Sequence, residues 1–139
     1  MTNEAVLKVE TGLPINFTVS NTTGIEKGAI LKMTDPMTAA LADGANNIVA
    51  GIAASEKIAS DGVTKLGVYR NGIFLMTLSG TCTVGDALAV QSHSENYVYA
   101  ANASNLSGSS VIGIALETGA TAEQILVELN ITGVKTSPQ

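Results

Sequence analysis

Hydrolytic or acyl-transfer chemistry needs an activated nucleophile beside a base, and this chain has one histidine, His93, and one cysteine, Cys82. His93 sits in Ser92-His93-Ser94-Glu95-Asn96, a polar turn, and no Gly-x-Ser-x-Gly elbow accompanies it. Cys82 lies in an apolar strand-to-turn segment without cationic neighbours that would lower its pKa. One Cys and one His do not make a zinc site of ordinary composition. Asp43-Gly44-Ala45-Asn46-Asn47 has a calcium-loop flavour but lacks the alternating ligands and the closing Glu, so it reads as a turn. Gly119-Ala120-Thr121-Ala122 has no phosphate-loop lysine. The residues predict no catalytic site, no metal and no cofactor.

Leu31-Lys32-Met33 resembles the Met-Lys-Met of biotin carrier domains, which are also small, all-β and duplicated. Here the first Met is Leu, and Lys32 enters a strand where a carrier lysine would occupy a hairpin tip. A biotinyl- or lipoyl-like carrier is therefore an alternative with a weak motif behind it.

Composition narrows the partners. Only 14% of the 139 residues are charged, against a typical value of about 25%, and mean hydropathy is positive. A surface so poor in charge predicts cover by another protein. Seven scattered Lys and Arg and a net charge of −5 give no basic patch for nucleic acid. The apolar runs fall far short of the ~20 residues of a membrane span. The N-terminus, with Glu4 and no apolar stretch after it, is unlike a secretory leader, so synthesis in a cytoplasm is expected. A single Cys excludes an internal disulfide and agrees with a reducing compartment.

The elements read as all-β. Ile15–Ser20, Ile30–Met33, Met37–Ala42, Ile48–Ser55 and Asn96–Ala100 are strand candidates between turn residues. Ile125, Val127, Leu129 and Ile131 alternate cleanly and are expected inward, and Ile112, Ile114 and Leu116 are expected on one face of a strand. Residues 101–110 read as a small-polar loop, and Gly119–Glu123 as one helical turn. Asn71-Gly72, between two apolar runs, predicts a two-residue hairpin with Tyr69 facing Phe74 and Val68 facing Leu75. The alternative is a bulge at Gly72 inside one long strand. Ile73 to Leu78 is apolar on both faces, as in a central strand with cover on each side.

Two stretches echo two others. Gly28-Ala29-Ile30-Leu31-Lys32-Met33 matches Gly85-Asp86-Ala87-Leu88-Ala89-Val90, and Val49-Ala50-Gly51-Ile52-Ala53-Ala54 matches Val111-Ile112-Gly113-Ile114-Ala115-Leu116. An apolar strand follows each, around Leu66–Val68 and Ile125–Val127. Chance likeness among Gly/Ala/Val-rich segments is the bland alternative. The fold expected is an all-β compact barrel or sandwich of two similar strand–loop–strand–strand halves, about 24–70 and 81–131. They lie in a single domain over 14–139, with residues 1–13 as an N-terminal arm set off by Gly12-Leu13-Pro14.

This order of segments resembles the duplicated small β-barrel proteins that decorate the heads of tailed bacteriophages, the capsid cement or head-stabilising proteins. The segments carrying it are the Gly-x-x-Leu and Val-x-Gly-Ile-Ala strands, Gly67-Val68-Tyr69-Arg70-Asn71-Gly72-Ile73-Phe74-Leu75-Met76, Val84-Gly85-Asp86-Ala87-Leu88 and Val111-Ile112-Gly113-Ile114-Ala115-Leu116-Glu117. The resemblance implies a non-enzymatic virion protein on the capsid exterior, bound to the major capsid protein, with homotrimers at local threefold positions. It implies an arm reaching onto the shell, where Val6, Leu7, Val9 and Leu13 are the candidate contacts. A fibre or baseplate module of a phage is the alternative within the same class.

Overall fold

The computed structural model describes residues 3–43, 47–90, 96–100, 111–129 and 131. His93, positions 44–46 of the Asp43–Asn47 loop and the segment 101–110 lie outside them. The described residues form eleven strands and no helix: β1 (Val6–Val9), β2 (Ile15–Thr18), β3 (Ile30–Asp35), β4 (Thr38–Leu41), β5 (Val49–Ala53), β6 (Lys65–Tyr69), β7 (Ile73–Thr77), β8 (Ala87–Val90), β9 (Val98–Ala100), β10 (Val111–Ala115) and β11 (Gln124–Leu129).

Strands β2-β4-β3-β5-β6 make a closed barrel, shut by antiparallel β2–β6 pairing and a parallel β2–β4 contact at Thr18 and Thr38. Phe17, Leu31, Ala39, Ala50, Leu66 and Val68 fill it. The other strands form a six-stranded sheet, β1-β7-β11-β10-β8-β9. Its last five run in the order of the barrel. Each of β7, β8, β9, β10 and β11 pairs as β2, β3, β4, β5 and β6 do, and a parallel bridge between Leu78 and Val98 stands where Thr18 meets Thr38. Met76, Leu78, Leu88, Ile112, Ile125 and Val127 fill this second half.

The two echoed motifs fall on matching hydrogen bonds. Gly28 N–H donates to Ala53 O and Ala53 N–H to Ala29 O (both 2.9 Å), while Gly85 N–H donates to Ala115 O (2.8 Å) and Ala115 N–H to Asp86 O (2.9 Å). Register slips of the same kind occur beside Gly51 and Gly113. A Cβ on Gly51 would lie 2.2 Å from Tyr69 O, and one on Gly113 would lie 2.2 Å from Glu128 O. Only glycine lets these backbones approach so closely.

Three sequence expectations are corrected. Asn71-Gly72 does not turn a hairpin: β6 pairs with β2 and β5, whereas β7 pairs with β1 and β11. The chain crosses here from the barrel to the second sheet through Gly72, whose φ is 135°, a backbone angle that glycine adopts without strain. Tyr69 and Phe74 do meet, edge to face at 5.7 Å between ring centres, but across the junction and not across a ladder. Ile114 and Leu116 are exposed while Ile112 and Ala115 are buried, because the irregularity at Gly113 shifts the strand's parity. Gly119–Glu123 is a turn with Ala122 at φ 71° and no helix, held where Ala120 N–H donates to Glu123 Oε1 at 2.6 Å.

Ile125, Val127, Leu129 and Ile131 all point inward, as their alternation indicates.

Candidate interaction surfaces

The N-terminal segment begins against the first barrel and ends on the second sheet. Ala5 is buried, and its N–H donates to Gly28 O at 3.0 Å. From there Val6, Leu7 and Val9 pair with Leu75, Phe74 and Ile73, which makes β1 an edge strand of the chain's own sheet. Leu7 packs on the main apolar cluster, whereas Val6, Val9 and above all Leu13, 81% exposed, face solvent. Glu10 ties the far end down by accepting the Tyr69 hydroxyl at 2.8 Å, and the same contact raises the tyrosine's pKa. Of the four candidate contact residues, one therefore anchors the segment and three remain open to a partner.

Beside β1 lies a cleft of ≈ 440 Å³ between Ala5, Leu7, Gly28, Ala53, Tyr69 and Phe74. Glu4 and Lys27 are the charged side chains that line it.

Two polar side chains that the sequence did not single out hold the assembly. Asn96 is buried, with φ 58°, and makes three hydrogen bonds to two separate segments. Its Oδ1 accepts Ile30 N–H at 2.9 Å, and its Nδ2 donates to Gly28 O at 3.1 Å and Asn3 O at 3.0 Å. Lys57 is buried too, and its Nζ donates to Asn21 O (2.7 Å), Ile58 O (3.1 Å) and Asp61 Oδ1 (3.3 Å). It locks the two turns at one end of the barrel. Neither stands out in sequence, because a buried polar residue looks like any turn residue until its partners are placed.

The residues weighed for chemistry are dispersed. Lys32 lies in β3 and its Nζ pairs with Asp43 Oδ2 at 2.7 Å, which holds that carboxylate below its usual range. Cys82 is a buried free thiol whose Sγ lies 3.7 Å from Glu117 O, and burial pushes its pKa up. Among the described residues no three His, Cys, Asp or Glu side chains gather as metal ligands would.

No protein-family model matches the chain, and no curated protein matches it. Among solved structures, the chain is similar to the N base of the head fibre gp8.5 of bacteriophage phi29, with a TM-score of 0.54. The match covers 86% of this chain and 97% of that one at 15% sequence identity. What the two chains share is the fold.

Proposed function

We propose that this chain is a non-enzymatic structural protein of a tailed-phage virion, which binds the outer surface of an icosahedral capsid and stabilises it. The observation that carries the reading is the likeness in fold to a phage head-fibre base over nearly the whole of both chains. The partner in this reading is the major capsid protein, and the working unit is a homotrimer that engages three equivalent footprints at once. The exposed side chains of the N-terminal segment, Val6, Val9 and Leu13, supply apolar contacts, and the outer edge of β1 offers main-chain hydrogen bonds to a shell strand.

The test is to mix the purified chain with undecorated capsids and reconstruct the product. Density at local threefold positions, together with resistance of the decorated shell to heat or chelation, is the expected result. Shells that stay bare and no more stable would refute it. One further reading, a fibre or baseplate module, is favoured by the neighbour being the base of a head fibre. It predicts density at a few sites carrying a projecting stalk, where the first reading predicts a layer over the shell.

A further inference from the structure

The outer face of the second sheet carries two rows of cross-strand neighbours. In one row Val6 stands opposite Leu75 and Leu75 opposite Leu126, and Leu116 N–H donates to Leu126 O at 2.9 Å. In the other Val9 stands opposite Ile73, Ile73 opposite Glu128, and Ile114 between Glu128 and Ala87. Glu128 is the one charged member. Val6, Val9, Ile114 and Leu116 are exposed, and Ile73, Leu75 and Leu126 are half-buried.

The first barrel supplies an internal control. Where the second half has Leu75, Leu126 and Leu116, the barrel has Asn16, Gly67 and Ala54. Asn16 stands opposite Gly67, and Ala54 N–H donates to Gly67 O at 2.9 Å. The architecture thus closes without large apolar side chains at these positions, so folding does not demand the leucines.

The second row shows what such a face is for. Its counterpart in the barrel is Ile30 opposite Ile52 and Ile52 opposite Tyr69. Ile30 and Ile52 point out of the barrel, yet both are buried, in one cluster with Phe74, Val90, Leu129 and Ile131 of the second half. One half of the chain is seated on that face of the other. Ile52 is 0% exposed, and its counterpart Ile114 is 36% exposed.

We propose that the part of this face formed by β7, β11 and β10, with Ile73, Leu75, Leu126, Ile114 and Leu116, is covered by the first half of another copy of this chain, repeating between chains the contact made within one and leaving Val6 and Val9 at the β1 border to the shell. The proposal builds on the self-association part of the reading above. The covering end is marked: within the chain, Phe74 and Asn96, which stands two residues before β9 with φ 58°, meet the first barrel. The corresponding residues of the first barrel are Ile15 and, just before β4, Met37, and both are exposed. A patch on one half and a different patch on the other make a heterologous contact, which forms a ring where the rotation closes and a filament where it does not.

Light scattering of the whole chain and of three variants tests this. Leu126→Asp spoils the open face, and Met37→Asp spoils the covering end. Leu75→Asn, which installs the residue that the barrel carries, is a milder version of the first. Far-UV circular dichroism confirms that each is folded. The expected result is a ring for the wild-type chain and monomers for each Asp variant alone. An equimolar mixture of the two should give a one-to-one dimer, because one good face and one good end remain. Leu75→Asn should weaken assembly by about tenfold or more. A wild-type oligomer that survives Leu126→Asp would overturn this interface while leaving self-association standing. A mixture that stays monomeric would overturn the heterologous pairing. A wild-type chain that is monomeric at submillimolar concentration would overturn the proposal and leave binding of single copies to a shell intact.

Discussion

Asn96 Oδ1 accepts the N–H of Ile30 at 2.9 Å across 66 residues of sequence. The bond joins the start of β9 to the start of β3, and the same amide reaches Gly28 O and Asn3 O. Asn96→Ala leaves the buried Ile30 N–H without this acceptor and is expected to cost about 2–3 kcal/mol. Asn96→Asp should cost more, because a carboxylate would face the two carbonyls that the amide now serves. Urea unfolding with an unchanged m-value checks both.

Gly113→Ala should be among the most damaging single-methyl changes in the chain. The new Cβ would meet Glu128 O at 2.2 Å, and both β10 and β11 are held by ladders on either side. A loss of about 3 kcal/mol or more is expected, seen as a collapse in melting temperature or in soluble yield. Gly51→Ala should behave alike, with Tyr69 O as the obstacle.

These glycines also show what could be read from sequence alone. Val-x-Gly-Ile-Ala was legible as a repeated unit because a close approach admits only one residue type, and the requirement is the same in both halves. Clean alternation at Ile125–Ile131 was legible for the same reason, since a regular strand has period two. Pairing was not. Asn71-Gly72 has the local chemistry of a hairpin, but whether β6 and β7 pair depends on which other strands claim their edges, and β2, β5, β1 and β11 do. Ile114 was misread because a register slip reverses the faces of a strand without changing its composition. Of the candidate contact surface, Val6, Val9 and Leu13 stand exposed, while Leu7 turns to the core, a distinction set by the β1–β7 register.

Lys57 should be needed although it touches no ligand. It takes one counterion, Asp61, and carbonyls from two turns at once, and the matching position in the second half is Gly119: Ile25 and Lys57 are bridged as Cys82 and Gly119 are. Lys57→Met leaves Asn21 O and Ile58 O without this donor and Asp61 without its ammonium partner. A destabilisation of about 3 kcal/mol is expected by denaturant titration, since the ammonium is fully buried.

Acid should weaken the fold through Asp61 and Asp43. The Val63 N–H, ahead of Lys57, holds the Asp61 carboxyl below the usual aspartate range, and the Lys32 ammonium does so for Asp43. A folded-state pKa below the unfolded value of about 3.9 means that the stability is present above that pH. It is lost as the pH falls through the folded value. Asp61→Asn and Asp43→Asn should each flatten the acid limb of a stability-against-pH curve. A limb as steep as that of the wild-type chain would contradict the assignment.

Leu7 and its neighbours should separate folding from attachment. Leu7→Ala removes a side chain packed on the core and is expected to cost about 2 kcal/mol. Val6→Ser and Leu13→Ser alter exposed side chains, with stability expected to change by no more than about 0.5 kcal/mol. Capsid binding should fall in the two serine variants, as measured by cosedimentation with shells.

The placement of β1 has a consequence for how the chain is made. Every ladder of the first barrel lies between residues 15 and 69, so that barrel can complete itself as soon as Tyr69 leaves the ribosome. The segment ahead of it cannot. Its strand partner β7 begins at Ile73, and the amide that donates to Asn3 O belongs to Asn96, both translated later. The segment that precedes the barrel in the chain is therefore held back until the second half arrives. A ribosome stalled just after Tyr69 has left its exit tunnel should carry a closed barrel trailing a strand with nothing yet to pair with, open throughout that interval to chaperones and to proteases.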